Sequence, residues 1–139
     1  MPANTAQKGF SLIEAVMVVS IVAMLAAVAV PSLMSSKDAA EKAALMVTLR
    51  TMHTDQTAYH TTNARYARLN ELNTYAGGYY GTIVGTTLRY KNWIFLATPT
   101  PTNSTLRSQY QFLAYRMNRG RISSAYLLAQ DGVATTLVP

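Results

Sequence analysis

GFSLIEAVMVVSIVAMLAAVAVPSLM, residues 9–34, is the stretch that decides the architecture of this chain. From Ala15 to Val30 its only polar side chain is Ser20. Extended through Phe10 and Met34, the run is about 37 Å long as a helix, enough to cross the hydrocarbon of a bilayer. Lys8 precedes it and Lys37, Asp38, Glu41 and Lys42 follow, so polar groups bracket both ends. The weak basic flank puts the amino end on the cytoplasmic side.

Glu14 is the anomaly in this run. An ionised side chain at the bilayer centre costs about 3 kcal/mol on insertion scales. The six Val, one Ile and one Leu between Ala15 and Val30 return about 2–5 kcal/mol on the same scale, so insertion is feasible. Glu14 also lies only about 6 Å along a helix from Phe10, closer to headgroups than to the midplane.

A secretory signal competes for the same residues, because Ala27-Val28-Ala29 has the small-x-small form of a cleavage site. Three features favour a retained anchor: the run is longer than a usual signal core, Glu14 interrupts its start, and Pro31 would sit just beyond the cut.

Gly9-Phe10-Ser11-Leu12-Ile13-Glu14 resembles the processing signature of type IV prepilins and pseudopilins. Glycine allows an extended backbone to enter a protease cleft closely, and the acid is the fifth residue counted from Phe10. The resemblance implies cleavage between Gly9 and Phe10 by a prepilin peptidase that also methylates the new amine of Phe10. It implies a cytoplasmic leader over 1–9, a transmembrane and filament-core helix over 10–34, and a globular head over 35–139. The other expected partners are further copies of the chain in a homopolymer, the pilus or secretion assembly machinery, and the inner membrane before assembly. The precursor would be a single-pass bacterial inner-membrane protein, and the filament periplasmic or extracellular. Glu14 would enter the filament core and meet the Phe10 amine of a neighbouring subunit, a pair that specifies register more than stability. An intrachain Phe10–Glu14 contact, or a Glu14 that snorkels to the interface with no part in assembly, are the alternatives.

Beyond the anchor, Pro31 removes one helical hydrogen bond and should kink or locally melt the segment near Val28–Ser32. Residues 37–59 lack Gly and Pro and are rich in helix formers, so the helix continues over 35–62. Leu45, Leu49, Met52, Gln56 and Tyr59 form a stripe that should face the head, with Lys42, Arg50 and Asp55 largely solvated. Tyr59, Tyr66, Leu69 and Leu72 resemble the helix exit of many pilin-like proteins. Gly77, Gly78, Gly81 and Gly85 mark a connector over 63–87. Strands are expected at about 88–98, 108–117, 121–130 and 133–138, with turns at Asn118-Arg119-Gly120 and Asp131-Gly132. The reading is an α+β, pilin-like fold in which a long amino-terminal helix packs on a small antiparallel sheet covering 88–139.

The remaining composition narrows the chemistry. Of 139 residues none is Cys, so disulfides and thiolate chemistry are excluded. His53 and His60 are about 10.5 Å apart along a helix, too far to grip one metal ion. No G-x-S-x-G elbow occurs, and after Glu71 the only side-chain carboxylate is Asp131, which speaks against a calcium site in the head. No catalytic residue, cofactor or metal is expected. The formal charge of +6 comes from scattered residues, Arg65, Arg68, Arg89, Lys91, Arg107, Arg116, Arg119 and Arg121 among them, and lends DNA binding only weak support. Nine tyrosines read chiefly as packing, and Asn103-Ser104-Thr105 is a sequon in form. Major pilin, minor pilin and secretion pseudopilin share these features. A membrane-anchored module that binds DNA or a surface without polymerising is the reading from a different class.

Overall fold

The computed structural model describes residues 10–138; the expected leader, with Gly9, lies outside them. The architecture is α+β. Helix α1 (Leu12–Asn63) comes first, followed by the short α2 (Leu69–Tyr75). Six strands follow: β1 (Thr82–Val84), β2 (Thr87–Tyr90), β3 (Trp93–Ala97), β4 (Gln111–Asn118), β5 (Arg121–Ala129) and β6 (Ala134–Val138). They form one antiparallel sheet in sequence order. The chain divides between Lys42 and Ala43 into two compact units.

α1 passes through Pro31, so the local melting expected over 28–32 does not occur. Proline deletes one N–H, while the bonded turns on either side hold the backbone helical. The carboxyl end of α1 closes at Ala64, whose φ of 53° is left-handed and whose N–H reaches the His60 carbonyl at 2.8 Å.

In the unit that begins at Ala43, the period of the apolar residues sets which face of α1 is covered. Leu45, Leu49, Met52 and Gln56 are buried and Tyr59 packs against them, as the stripe predicts. They meet Leu88, Trp93, Phe95, Phe112, Tyr126 and Leu128 from the sheet. Along β4, Phe112 and Ala114 are buried while Gln111 is exposed, the alternation expected of a strand with one covered face.

The connector carries more structure than its glycines suggest. α2 and β1 both lie within 63–87, because Leu69 and Leu72 bury completely enough to hold a short helix on the core. The single strand expected at 88–98 is two strands, since Lys91 adopts φ 53° and turns the chain between Tyr90 and Trp93. β4 begins at Gln111, later than expected, because Thr105–Arg107 forms a 3₁₀ turn that buries Leu106.

Three polar clasps fasten this connector. Gln56 is fully buried, and its side-chain amide donates to the Ala67 carbonyl at 2.8 Å while its Oε1 accepts the Ala67 N–H at 2.7 Å. Asn73 donates to the Gly81 carbonyl at 3.0 Å and accepts the Tyr80 N–H at 3.1 Å. Arg65 donates to both carboxylate oxygens of Glu71 at 2.8 and 2.9 Å, and Glu71 also accepts the Arg68 N–H, capping α2. Asp55 is no solvated bystander: its Oδ2 accepts the buried Tyr80 hydroxyl at 2.5 Å. Desolvation, then this bond, pushes the Tyr80 hydroxyl above its ordinary pKa, so it stays protonated as the donor. Gly81 has φ of +117°, and a Cβ there would lie 2.2 Å from the Arg89 carbonyl oxygen, so the β1 entry tolerates no side chain.

Gln56→Ala should lower unfolding free energy by about 3 kcal/mol, because it strands both backbone groups of Ala67 in the core. Chemical denaturation of the full chain in detergent reads this directly, and Gln56→Glu is no rescue, since it restores no donor above neutral pH. Glu71 provides a pH test. The Arg65 hydrogen bonds hold its carboxyl below the ordinary 4.5 despite the opposing effect of burial. Its contribution is therefore present above that value and lost as pH falls through the lower folded value. With both side chains 30% exposed, the contribution is under about 1 kcal/mol. Thermal melts between about pH 5 and about pH 3 should lose part of their slope in Glu71→Gln.

Candidate functional site

The first unit is built around the apolar part of α1. Its side chains are turned outward all round the helix: Leu12 is 84% exposed, Val28 76% and Met24 72%. A helix apolar on every face has no preferred side for a water-soluble core and requires an apolar surrounding. By length and composition α1 can cross a membrane.

Three serine hydroxyls in and just after this segment are satisfied within the helix. Ser20 donates its hydroxyl to the Val16 carbonyl at 2.8 Å, and Ser35 and Ser36 both donate to the Ser32 carbonyl. Back-bonding of this kind keeps these three hydroxyl donors from facing hydrocarbon unpaired.

At the amino end, Glu14 folds back. Its Oε2 accepts the Ser11 N–H at 3.1 Å, one of the orphan donors of the first helical turn. Ala15 N–H closes that turn on the Ser11 carbonyl at 3.2 Å. Ser11 and Glu14 stand in the S-x-x-E spacing of a capping box, a signal legible in the sequence but absorbed there by the processing motif. A carboxylate at this position also faces the positive end of the helix dipole. Phe10 is 78% exposed and Glu14 is exposed beside it, so both are presented outward on the described surface. Pro31 sits inside α1, and Gly9 lies outside the described residues.

The second unit offers little acid–base chemistry. Its histidines are structural: His53 Nδ1 is 2.7 Å from the Tyr110 hydroxyl, and the His60 ring stacks on Tyr66 with centroids 4.5 Å apart. A Cβ on Gly132 (φ +74°) would meet the His53 ring at 2.8 Å, so the β5–β6 turn is fitted against it. A groove of about 260 Å³ between α2, the β1–β2 turn and the β3–β4 loop is lined by Arg68, Asn70, Ile83, Thr86, Leu96 and Pro101 among others, with no His, Asp or Glu. Among the described residues no three His, Cys, Asp or Glu side chains converge as a metal site would require.

A family model described as the prokaryotic N-terminal methylation motif matches residues 4–30. No curated protein and no solved structure matches the chain. The match covers Gly9, Phe10 and Glu14 together with most of the apolar helix and stops just before Pro31. Over residues 4–30 the chain therefore carries the amino-terminal methylation motif, the class III signal found in type IV pilins and pseudopilins.

Proposed function

We propose that this chain is a structural, non-catalytic subunit of a type IV pilus or pilus-like filament. One observation carries the reading: the methylation motif at residues 4–30 coincides with a helix whose apolar side chains are all outward. A prepilin peptidase cuts between Gly9 and Phe10 and methylates the Phe10 amine. The precursor waits in the inner membrane with its amino end cytoplasmic, and the assembly machinery moves it into a homopolymer outside the cytoplasm.

Transfer from lipid to a filament core exchanges one apolar environment for another, so burial alone supplies little drive. Close packing of the 10–34 helices and one charge pair then set the geometry. Glu14 exchanges its Ser11 N–H for the Phe10 amine of a neighbouring subunit, and Pro31 bends the helix where the subunits pack. A subunit out of register leaves two charges unpaired in an apolar setting, at a cost of several kcal/mol.

Minor pilin and secretion pseudopilin are versions of the same reading with different copy number and machinery. The scarcity of carboxylates after Glu71 speaks against a calcium-binding pseudopilin, and the absence of cysteine speaks against a disulfide-closed pilin.

Mass spectrometry of sheared surface fibres should find this chain beginning at Phe10 and heavier by one methyl group. A mature start at Val30 would restore the secretory-signal reading. Glu14→Gln and Glu14→Ala should be processed normally yet yield at least about tenfold fewer filaments, as an unpaired buried amine costs more than about 1.4 kcal/mol. Normal filament abundance in both variants would remove Glu14 from assembly. Recovery of the processed chain only as a lone membrane protein, with no fibre, would favour the non-polymerising anchored module.

A further inference from the structure

The excess positive charge of the chain is not spread along it. Residues 1–42 carry three Lys against three acidic side chains, whereas residues 43–139 carry nine Lys/Arg against three. The three acids of the second unit are placed away from one end of the sheet. Asp55 is bonded to Tyr80, Glu71 is held by Arg65, and Asp131 lies in the β5–β6 turn.

A sequential antiparallel meander sends alternate turns to opposite ends. The β2–β3 turn, closed by the Tyr90–Trp93 pair, and the β4–β5 turn, closed by Asn118–Arg121, emerge together. The β5–β6 turn with Asp131 emerges at the other end. The first end therefore gathers Lys91, Arg119 and Arg121, all exposed, with no side-chain carboxylate in either turn. No hydrogen bond or ion pair engages the Arg119 or Arg121 guanidinium among the described residues. Arg119 and Gly120 both adopt positive φ, 50° and 77°, the backbone of a tight two-residue hairpin turn. Met117 and Ile122, each 50% exposed, flank the arginines, and a shallow concavity of about 520 Å³ runs along Asn118, Arg119, Arg121 and Ile122.

Unpaired guanidinium groups on a tight turn beside two exposed aliphatic side chains suit a surface of phosphodiesters over hydrocarbon. Arginine grips phosphate in two places, and Met and Ile enter the boundary layer beneath. Nucleic acid fits less well, because a single strand calls for exposed rings to stack on bases and the phosphate edge of a duplex offers Met117 and Ile122 nothing apolar to enter. At this end Trp93 and Tyr126 are only 3% and 4% exposed, and the Lys91 ammonium lies 5.1 Å from the Tyr90 ring. The chain also ties this unit to the apolar segment, as only eight residues, 35–42, lie between Met34 and Ala43.

We propose that the β4–β5 turn, with Lys91 beside it, docks on anionic lipid headgroups while the subunit is stored in the membrane. The proposal rests on the membrane-anchored reading above. It makes the head a second, charge-dependent contact with the bilayer, one that must be released for the subunit to leave.

The absence of cysteine permits a single-site probe. The full chain with Asn118→Cys, labelled with a polarity-sensitive fluorophore, is reconstituted in vesicles of phosphatidylcholine alone or with added phosphatidylglycerol. Flotation with the neutral vesicles tests the anchor. The label should move to a less polar environment as the anionic fraction rises, and about 1 M salt should reverse this. Arg119→Gln with Arg121→Gln should weaken the response about 25-fold, near fivefold per arginine. A label at Thr86→Cys, in the turn at the opposite end of the sheet, should not respond. Flotation without any response at position 118 would overturn the docking and leave the anchor intact; failure to float would overturn both. A response at position 118 to added DNA but not to anionic lipid would overturn the proposal in favour of a nucleic-acid surface.

Discussion

One helix has to be compatible with two different apolar surroundings, and most of this structure follows from that requirement. Over its first part α1 is apolar on every face, so no face is committed to a fixed protein neighbour. From Leu45 onward the same helix carries its apolar residues on one stripe, spaced to meet a sheet. The change occurs where Lys37, Asp38, Glu41 and Lys42 bring charge back, and the boundary between the two compact units falls directly after Lys42. Backbone hydrogen bonding within the helix is indifferent to the surroundings, so the secondary structure can stay the same while the side-chain chemistry changes.

That division leaves the second unit with the task of holding a small core without disulfides. Its solution is to use side-chain amides as substitutes for backbone. Gln56 bonds both polar groups of Ala67 from within the helix, and Asn73 bridges Gly81 and Tyr80 in the same manner. In each case a chain segment with no strand partner has its backbone groups satisfied by one amide, and the segment can then lie against apolar side chains. No buried side-chain nitrogen or oxygen among the described residues is left without a partner. The Tyr80–Asp55 bond and the Arg65–Glu71 pair add directionality to an otherwise apolar contact.

The parts legible in the sequence are those governed by local period. The stripe Leu45, Leu49, Met52 and Gln56, the alternation along β4 and the Asn118–Arg121 hairpin each depend on residues within a few positions of one another. Asp55 was not legible as the partner of a buried hydroxyl, since its donor, Tyr80, lies 25 residues further on. The Lys91 turn was hidden because neither Lys91 nor Asn92 is a usual turn-former, and only the pairing of Tyr90 with Trp93 reveals it. The glycines of the connector pointed to turns correctly, but they masked α2 and β1, whose commitment comes from Leu69, Leu72 and the strand beside them. At the amino end the processing motif was legible, and it drew attention away from the S-x-x-E spacing through which Glu14 accepts the Ser11 N–H.

Because each strand pairs with the next in the chain, every sheet contact in the second unit closes a short loop. Such an order keeps the entropic cost of each pairing small and allows the sheet to zip up from either end as neighbouring segments become available. A chain threaded through a translocation pore delivers its segments one after another, and a serial meander needs no late-arriving strand to be inserted between two already formed. The second unit is therefore of a kind that can complete itself piecemeal, each hairpin in turn adding to the last.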